Sequence, residues 1–240
     1  MTLYGNLARR LLSLLRDANP GRYETRPATP ETHPYADWRA YDRALQLFER
    51  QGFQHVGDLH VVSIPPMPAA MHPTMVRMFV GSDGAVVAEF SRLALRWTPV
   101  GLFGRASGMG RPFVALSTEL SDGRIGVTAA GAGLRRLVVP PWIERELVED
   151  ARPTDALIET LVAAHRTRLA RLSASTAPVH HGTLAEVIAA ADRAQRRKLD
   201  YRRSVGWATR EELGVMSGMN GEHLDQLDAE FRRLTAEDAA

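Results

Sequence analysis

Leucines recur along residues 3–16 at Leu3, Leu7, Leu11, Leu14 and Leu15, with Asn6, Arg9, Ser13 and Arg16 mainly on the other side. This spacing predicts a short basic amphipathic helix. Prolines 20, 27, 30 and 34 then remove helix donors, so residues 17–36 read as an extended, proline-rich linker. A second helix is expected over 37–51, where Trp38, Tyr41, Leu45 and Phe48 share a face and Gly52 can end it.

The period then changes. Residues 55–64, 75–80, 85–90, 113–120 and 125–129 read as strands, with alternation clearest at Val76, Met78 and Val80 and at Ile125, Val127 and Ala129. Ser82-Asp83-Gly84 and Ser121-Asp122-Gly123 each lie between two such runs, and Asp-Gly supplies the positive φ that tight hairpin turns require. Two successive hairpins imply an antiparallel meander. A short edge strand over 134–139, ended by Pro140-Pro141, could be added.

A helix over 154–172 carries Leu157, Ile158, Leu161, Val162, His165, Leu169 and Leu172 on one stripe, the natural cover for one face of the sheet. Residues 174–182 are small and polar and read as a linker. Thr183 and Glu186, and again Thr209 and Glu212, form T-x-x-E capping boxes that make residues 183–240 a helical tail. The expected fold class is therefore α+β. An antiparallel meander of about five strands is flanked by helices within residues 37–173, with an amphipathic helix at 1–16 before it and an α-helical C-terminal extension after it.

Composition narrows the functions. Among the 240 residues cysteine is absent, which excludes disulfides, thiolate metal sites and a cysteine nucleophile. The formal charge is only +2, and Lys198 is the sole lysine, so arginine clusters reflect a bias of the whole chain before they reflect a ligand. No window approaches the roughly 20 apolar residues of a membrane span, and Arg9 and Arg10 interrupt any secretory h-region. A cytoplasmic protein, with membrane association through its first helix as an option, is the expectation.

Residues 209–227, TREELGVMSGMNGEHLDQL, resemble the helix-turn-helix of bacterial transcription regulators. Thr209 matches the cap, Leu213 and Gly214 the packing positions, Gly218 the turn, and Leu224 and Leu227 the buried face of a recognition helix. The resemblance implies duplex binding. The pattern departs at Ser217, and Glu222, Asp225, Asp228 and Glu230 stand where phosphates would be met. The preceding helix is basic, with Arg193, Arg196, Arg197, Lys198, Arg202 and Arg203 around Tyr201, yet Asp192 and Asp200 dilute it, as on a solvated face with paired charges. Nucleic acid is accordingly disfavoured as a partner.

Three sets of residues are left to carry function. Leu7, Arg9, Arg10, Leu11, Leu14 and Leu15 form the surface that a membrane or a protein partner would meet. The glycine-rich segment 96–112, with Trp97, Leu102, Phe103 and Met109, reads as a loop able to contact a ligand. His60 and His165 are the catalytic candidates, for a pocket between the sheet and helix 154–172. His55, Asp58 and His60 do not converge as metal ligands unless a bulge turns His55, and no H-E-x-x-H, G-x-S-x-G or phosphate-loop ending is present. No metal and no cofactor is expected. A non-enzymatic binding or adaptor protein with a protein partner, and a membrane surface as the second option, fits this pattern best; an enzyme or small-molecule receptor and a DNA-binding regulator are the alternatives.

Overall fold

The computed structural model describes residues 3–17, 19–63, 70–106, 110–130, 139–148 and 154–237. The edge strand expected over 134–139 falls, all but Val139, outside them, as does Met109. The chain divides into a sheet unit, residues 24–130 and 141–190, and a helical unit, residues 3–23, 139–140 and 191–237.

In the sheet unit the alternating runs form β2 (Phe53–Val61), β3 (Met75–Gly81), β4 (Val87–Arg92), β5 (Pro112–Glu119) and β6 (Ile125–Ala130). Two further strands, β1 (Thr25–Pro27) and β7 (Ile143–Leu147), extend the expected five to seven. The strand order is β1 to β7 in sequence; every pair is antiparallel except β6 with β7, which is parallel. β1 lies inside the proline-rich linker, where three residues are too few to show alternation. It is an edge strand, which tolerates Pro27.

The two Asp-Gly turns close β3–β4 and β5–β6. Gly84 and Gly123 take φ of +74° and +82°, and each aspartate accepts the amide two residues on, from Ala85 and Arg124. Residues 174–182, expected as a linker, run against both turns: Ser121 N donates to Ala177 O, Val179 N to Glu119 O, and His181 N to Gly84 O.

One sheet face carries α2 (Trp38–Arg50) and α4 (Thr154–Leu172). Asp37 caps α2 by accepting from Ala40 N, and Tyr41, Ala44, Leu47 and Phe48 recur at helical spacing on its buried side. They meet Met75, Phe79, Phe90, Val114 and Leu116 of the strands and Leu157, Ile158, Leu161 and Val162 of α4 in one core. The stripe foreseen on α4 is the buried one. Arg43 adds a two-pronged hydrogen bond from α2 to Asp155 of α4, at 2.8 and 2.6 Å.

Segment 96–112 is not a loop throughout. Thr98 accepts the Gly101 amide and Pro99 occupies the first helical position, so α3 (Pro99–Ala106) forms between β4 and β5. Finally α5 (Leu184–Ser204) begins in this unit, where Leu184 packs onto Gly57; a Cβ at Gly57 would come within 2.6 Å of it.

The helical unit contains α1 (Leu3–Asp17), the rest of α5, α6 (Arg210–Ser217) and α7 (Gly221–Glu237). Its core joins Ala8, Leu11, Leu12 and Leu15 of α1 to Leu213 of α6 and Leu224, Leu227, Phe231 and Leu234 of α7. Gly218, at φ +72°, ends α6, and Gly214 lets the helices close up, since a Cβ there would lie 3.1 Å from Leu224.

Candidate functional site

His165 projects from α4 onto β5 and β6 and is 1% exposed. Thr118 Oγ1 donates to Ala85 O at 2.9 Å, which leaves its oxygen to accept from His165 Nε2–H at 3.0 Å. Nδ1 then accepts from Thr128 Oγ1–H, also at 3.0 Å. Both ring nitrogens are used, and burial, aided by the charge of Arg168, pushes the imidazole down to about 4. The ring is a neutral polar rivet in a packed core, without the open nitrogen that a general base needs. The space between the sheet and α4, expected as a pocket, is filled by the α4 stripe at this point.

His60 stands in β2, between Arg26 of β1 and Met75 of β3, so the structure does not bring it to His165. Its ring sits edge-on to His33, with centroids 4.9 Å apart. His33 is itself buried, pairs through Nδ1 with Thr32 Oγ1 at 2.9 Å, and leaves Nε2 without a hydrogen-bond partner. Burial lowers both imidazoles, helped by Arg26 at His60 and by His60 at His33.

A bulge does turn His55. The register of β2 slips between His55 and Gly57, and His55 Nε2 reaches Asp58 Oδ1 at 3.1 Å. Asp58 also receives two hydrogen bonds from the buried guanidinium of Arg77, both 2.8 Å, while that guanidinium lies over Trp38 and Tyr41. The acid is thus occupied by an arginine. Among the described residues no three His, Cys, Asp or Glu side chains are arranged to hold a metal ion.

The leucine face of α1 is largely spent within its own unit. Leu11 and Leu15 are 6% and 3% exposed against α7, and Leu7 is half-buried beside them. Arg9, Arg10 and Leu14 point outward. The stripe on which Leu7, Leu11, Leu14 and Leu15 would meet a membrane together is therefore split between a covered and an open side. No described helix is long and apolar enough to cross a membrane.

In the region that resembles a helix-turn-helix, Leu224 and Leu227 are buried as the resemblance implies. Toward the outside, however, α7 pairs Asp225 with Arg210, Asp228 with Arg232 and Glu230 with Arg233, which places carboxylates along the surface a duplex would have to approach.

An open apolar surface lies on α3 and the turn that leads into it. Trp97 is 81% and Phe103 74% exposed, and Val100 and Leu102 are also exposed. The buried positions of this short helix are glycines: at Gly101 a Cβ would collide with the Arg96 carbonyl at 2.1 Å. Small residues therefore face inward and large apolar ones face out, the reverse of an ordinary surface helix.

A second feature, Glu89, carries no mark in the sequence, because in a strand it is one more outward-facing position. It is half-buried, burial pushes its carboxyl up to about 7, and among the described residues it has no hydrogen-bond or ion-pair partner. Comparison with protein-family models, with curated proteins and with solved structures finds no match for the chain.

Proposed function

We propose that the protein is a non-enzymatic binding protein that docks on an anionic membrane surface through α3. The observation that carries this is the inverted helix and the turn before it, with Val100, Leu102 and Phe103 of α3 and the preceding Trp97 exposed. Tryptophan and phenylalanine are the side chains that gain most at a headgroup boundary. Together the two rings offer roughly 300 Å² of apolar surface, which at about 25 cal/mol per Å² sets an upper bound of ~7 kcal/mol on insertion.

Charge supports the anionic choice. Between Arg92 and Arg111 the sequence holds four arginines, Arg92, Arg96, Arg105 and Arg111, and no acid, a local excess in a chain whose total is only +2. Each arginine near an anionic leaflet adds on the order of 1 kcal/mol. Arg92 is shared with Asp37, so its contribution is reduced.

Co-sedimentation of the full chain with vesicles of phosphatidylcholine, alone or with one quarter phosphatidylserine, tests the proposal. Recovery is expected on the mixed vesicles, weaker in high salt, and lost in Trp97→Ser/Phe103→Ser with an unchanged circular dichroism spectrum. Equal recovery of that variant, or none of the wild type, overturns it; the second outcome assigns the patch to a protein partner instead.

A further inference from the structure

The alternation of β4, the middle strand, sends Ala88 and Phe90 into the core beneath α2 and α4 and Glu89 to the opposite face. Register sets Met78 of β3 and Ala115 of β5 directly beside it. Val76 and Val80 flank Met78 on the same side, Val87 precedes Glu89 on its own strand and Phe113 flanks Ala115, while Ser91 and Ser117 are the two hydroxyl-bearing neighbours, so the carboxyl stands in a mainly apolar field two strand spacings, about 10 Å, wide.

Two other charged side chains on this face are accounted for at its margins. Glu119, at the end of β5, lies 3.6 Å from His181, and Arg145 is the register partner of Val127 on the parallel edge. Neither is bonded to Glu89.

An ionised carboxylate in such a place is costly unless something of opposite charge meets it. Among the described residues no such group meets it, although glutamine would fit the same volume without the cost. The start of α5 covers this face at Gly57, the register partner of Met78, and Glu89 as a residue stays only half-buried. An isolated acid in an apolar surround is the arrangement that selects a cation carrying its own apolar body.

We propose that Glu89 anchors a binding site, on the sheet face opposite α2 and α4, for a small organic cation with an alkyl or aryl body. The carboxylate receives the ammonium, and the half-buried Val76, Met78 and Val87 receive the hydrocarbon. This site is independent of docking through α3.

Titration calorimetry of the full chain at pH 8 with hexylammonium chloride, and with hexanol as the uncharged match, tests it. Saturable binding of one hexylammonium is expected, at least tenfold tighter than that of hexanol. Glu89→Gln is expected to weaken hexylammonium at least tenfold and to leave hexanol as it was. The α3 variant Trp97→Ser/Phe103→Ser is expected to bind hexylammonium like the wild type. Equal affinities for the ammonium and the alcohol, undiminished binding by Glu89→Gln, or no saturable heat with either probe overturns the assignment. Loss of binding in the α3 variant also overturns it, by placing the ligand elsewhere.

Discussion

Arg202 of α5 and Glu212 of α6 form a buried ion pair, with Nη1 2.7 and 2.8 Å from the two carboxylate oxygens and side chains 2% and 1% exposed. The same carboxylate accepts the Thr209 amide at 2.9 Å, while Thr209 Oγ1 accepts the Glu212 amide, which completes the capping box of α6. One side chain therefore starts a helix and neutralises the most deeply buried arginine of the helical unit.

Removal of one partner leaves the other charged and dry. Glu212→Ala is expected to destabilise the helical unit by about 3–5 kcal/mol, whereas the paired replacement Arg202→Met/Glu212→Leu loses less, because both desolvation costs disappear together. Urea unfolding of the two variants checks this; a double variant no more stable than Glu212→Ala contradicts it.

The docking of α1 gives a second expectation. Deleting residues 1–17 uncovers Leu224, Leu227 and Phe231, which α1 helps to bury. Three large apolar side chains at roughly 1.5–3 kcal/mol each exceed what a small helical unit has in reserve. Limited proteolysis of the truncated chain is expected to cut within 191–237 and leave the sheet unit resistant. Equal resistance of both would show α1 to be merely tethered.

Much of the sheet was legible because its determinants are local. Val76, Met78 and Val80 alternate over enough residues to fix a period, and Asp83-Gly84 and Asp122-Gly123 state a turn in two letters. What escaped lacks such local marks. β1 is three residues long inside a proline-rich run, and β7, Ile-Glu-Arg-Glu-Leu, is a polar edge whose pairing with β6 is parallel and so has no hairpin turn to announce it. α3 did carry a signal, Thr98 before Pro99, but Gly101 and Gly104 lower helix propensity enough to mask it. The core role of His165 could be inferred from its place on the α4 stripe. That Glu89 has no partner among the described residues could not, since it depends on what three strands bring together and on what they fail to supply.

The glycines in two turns separate backbone strain from steric collision. Gly84 and Gly218 take nearly the same φ, +74° and +72°. A Cβ at Gly84 would meet the His181 carbonyl at 2.8 Å, whereas one at Gly218 would meet nothing within 4 Å. Gly218→Ala is expected to cost about 1 kcal/mol, the conformational term alone. Gly84→Ala should cost about twice that or more, since the segment behind the turn must move. Thermal unfolding of the pair decides it, and equal losses would show that the 174–182 segment yields freely.

Glu89 and His165 act on stability with opposite signs in overlapping pH windows. The carboxyl is raised from 4.5 to about 7 by burial, so between those values the folded chain holds a proton that the unfolded chain has released, and stability falls as pH rises. The imidazole is lowered from 6.5 to about 4, so the folded chain refuses a proton that the unfolded chain accepts, and stability falls as pH drops through that interval. At about 1.4 kcal/mol per pH unit each amounts to roughly 3 kcal/mol, and between pH 4.5 and 6.5 the two slopes oppose one another. Glu89→Gln should therefore stabilise the protein at pH 8 by up to ~3 kcal/mol, leave it unchanged below pH 4.5, and expose the full acid-side loss due to His165. Urea unfolding of wild type and Glu89→Gln from pH 4 to pH 8 gives the difference directly. A gap that does not widen with pH would mean that Glu89 is already neutralised by a partner, which would remove the carboxylate from the face that the organic cation is inferred to occupy.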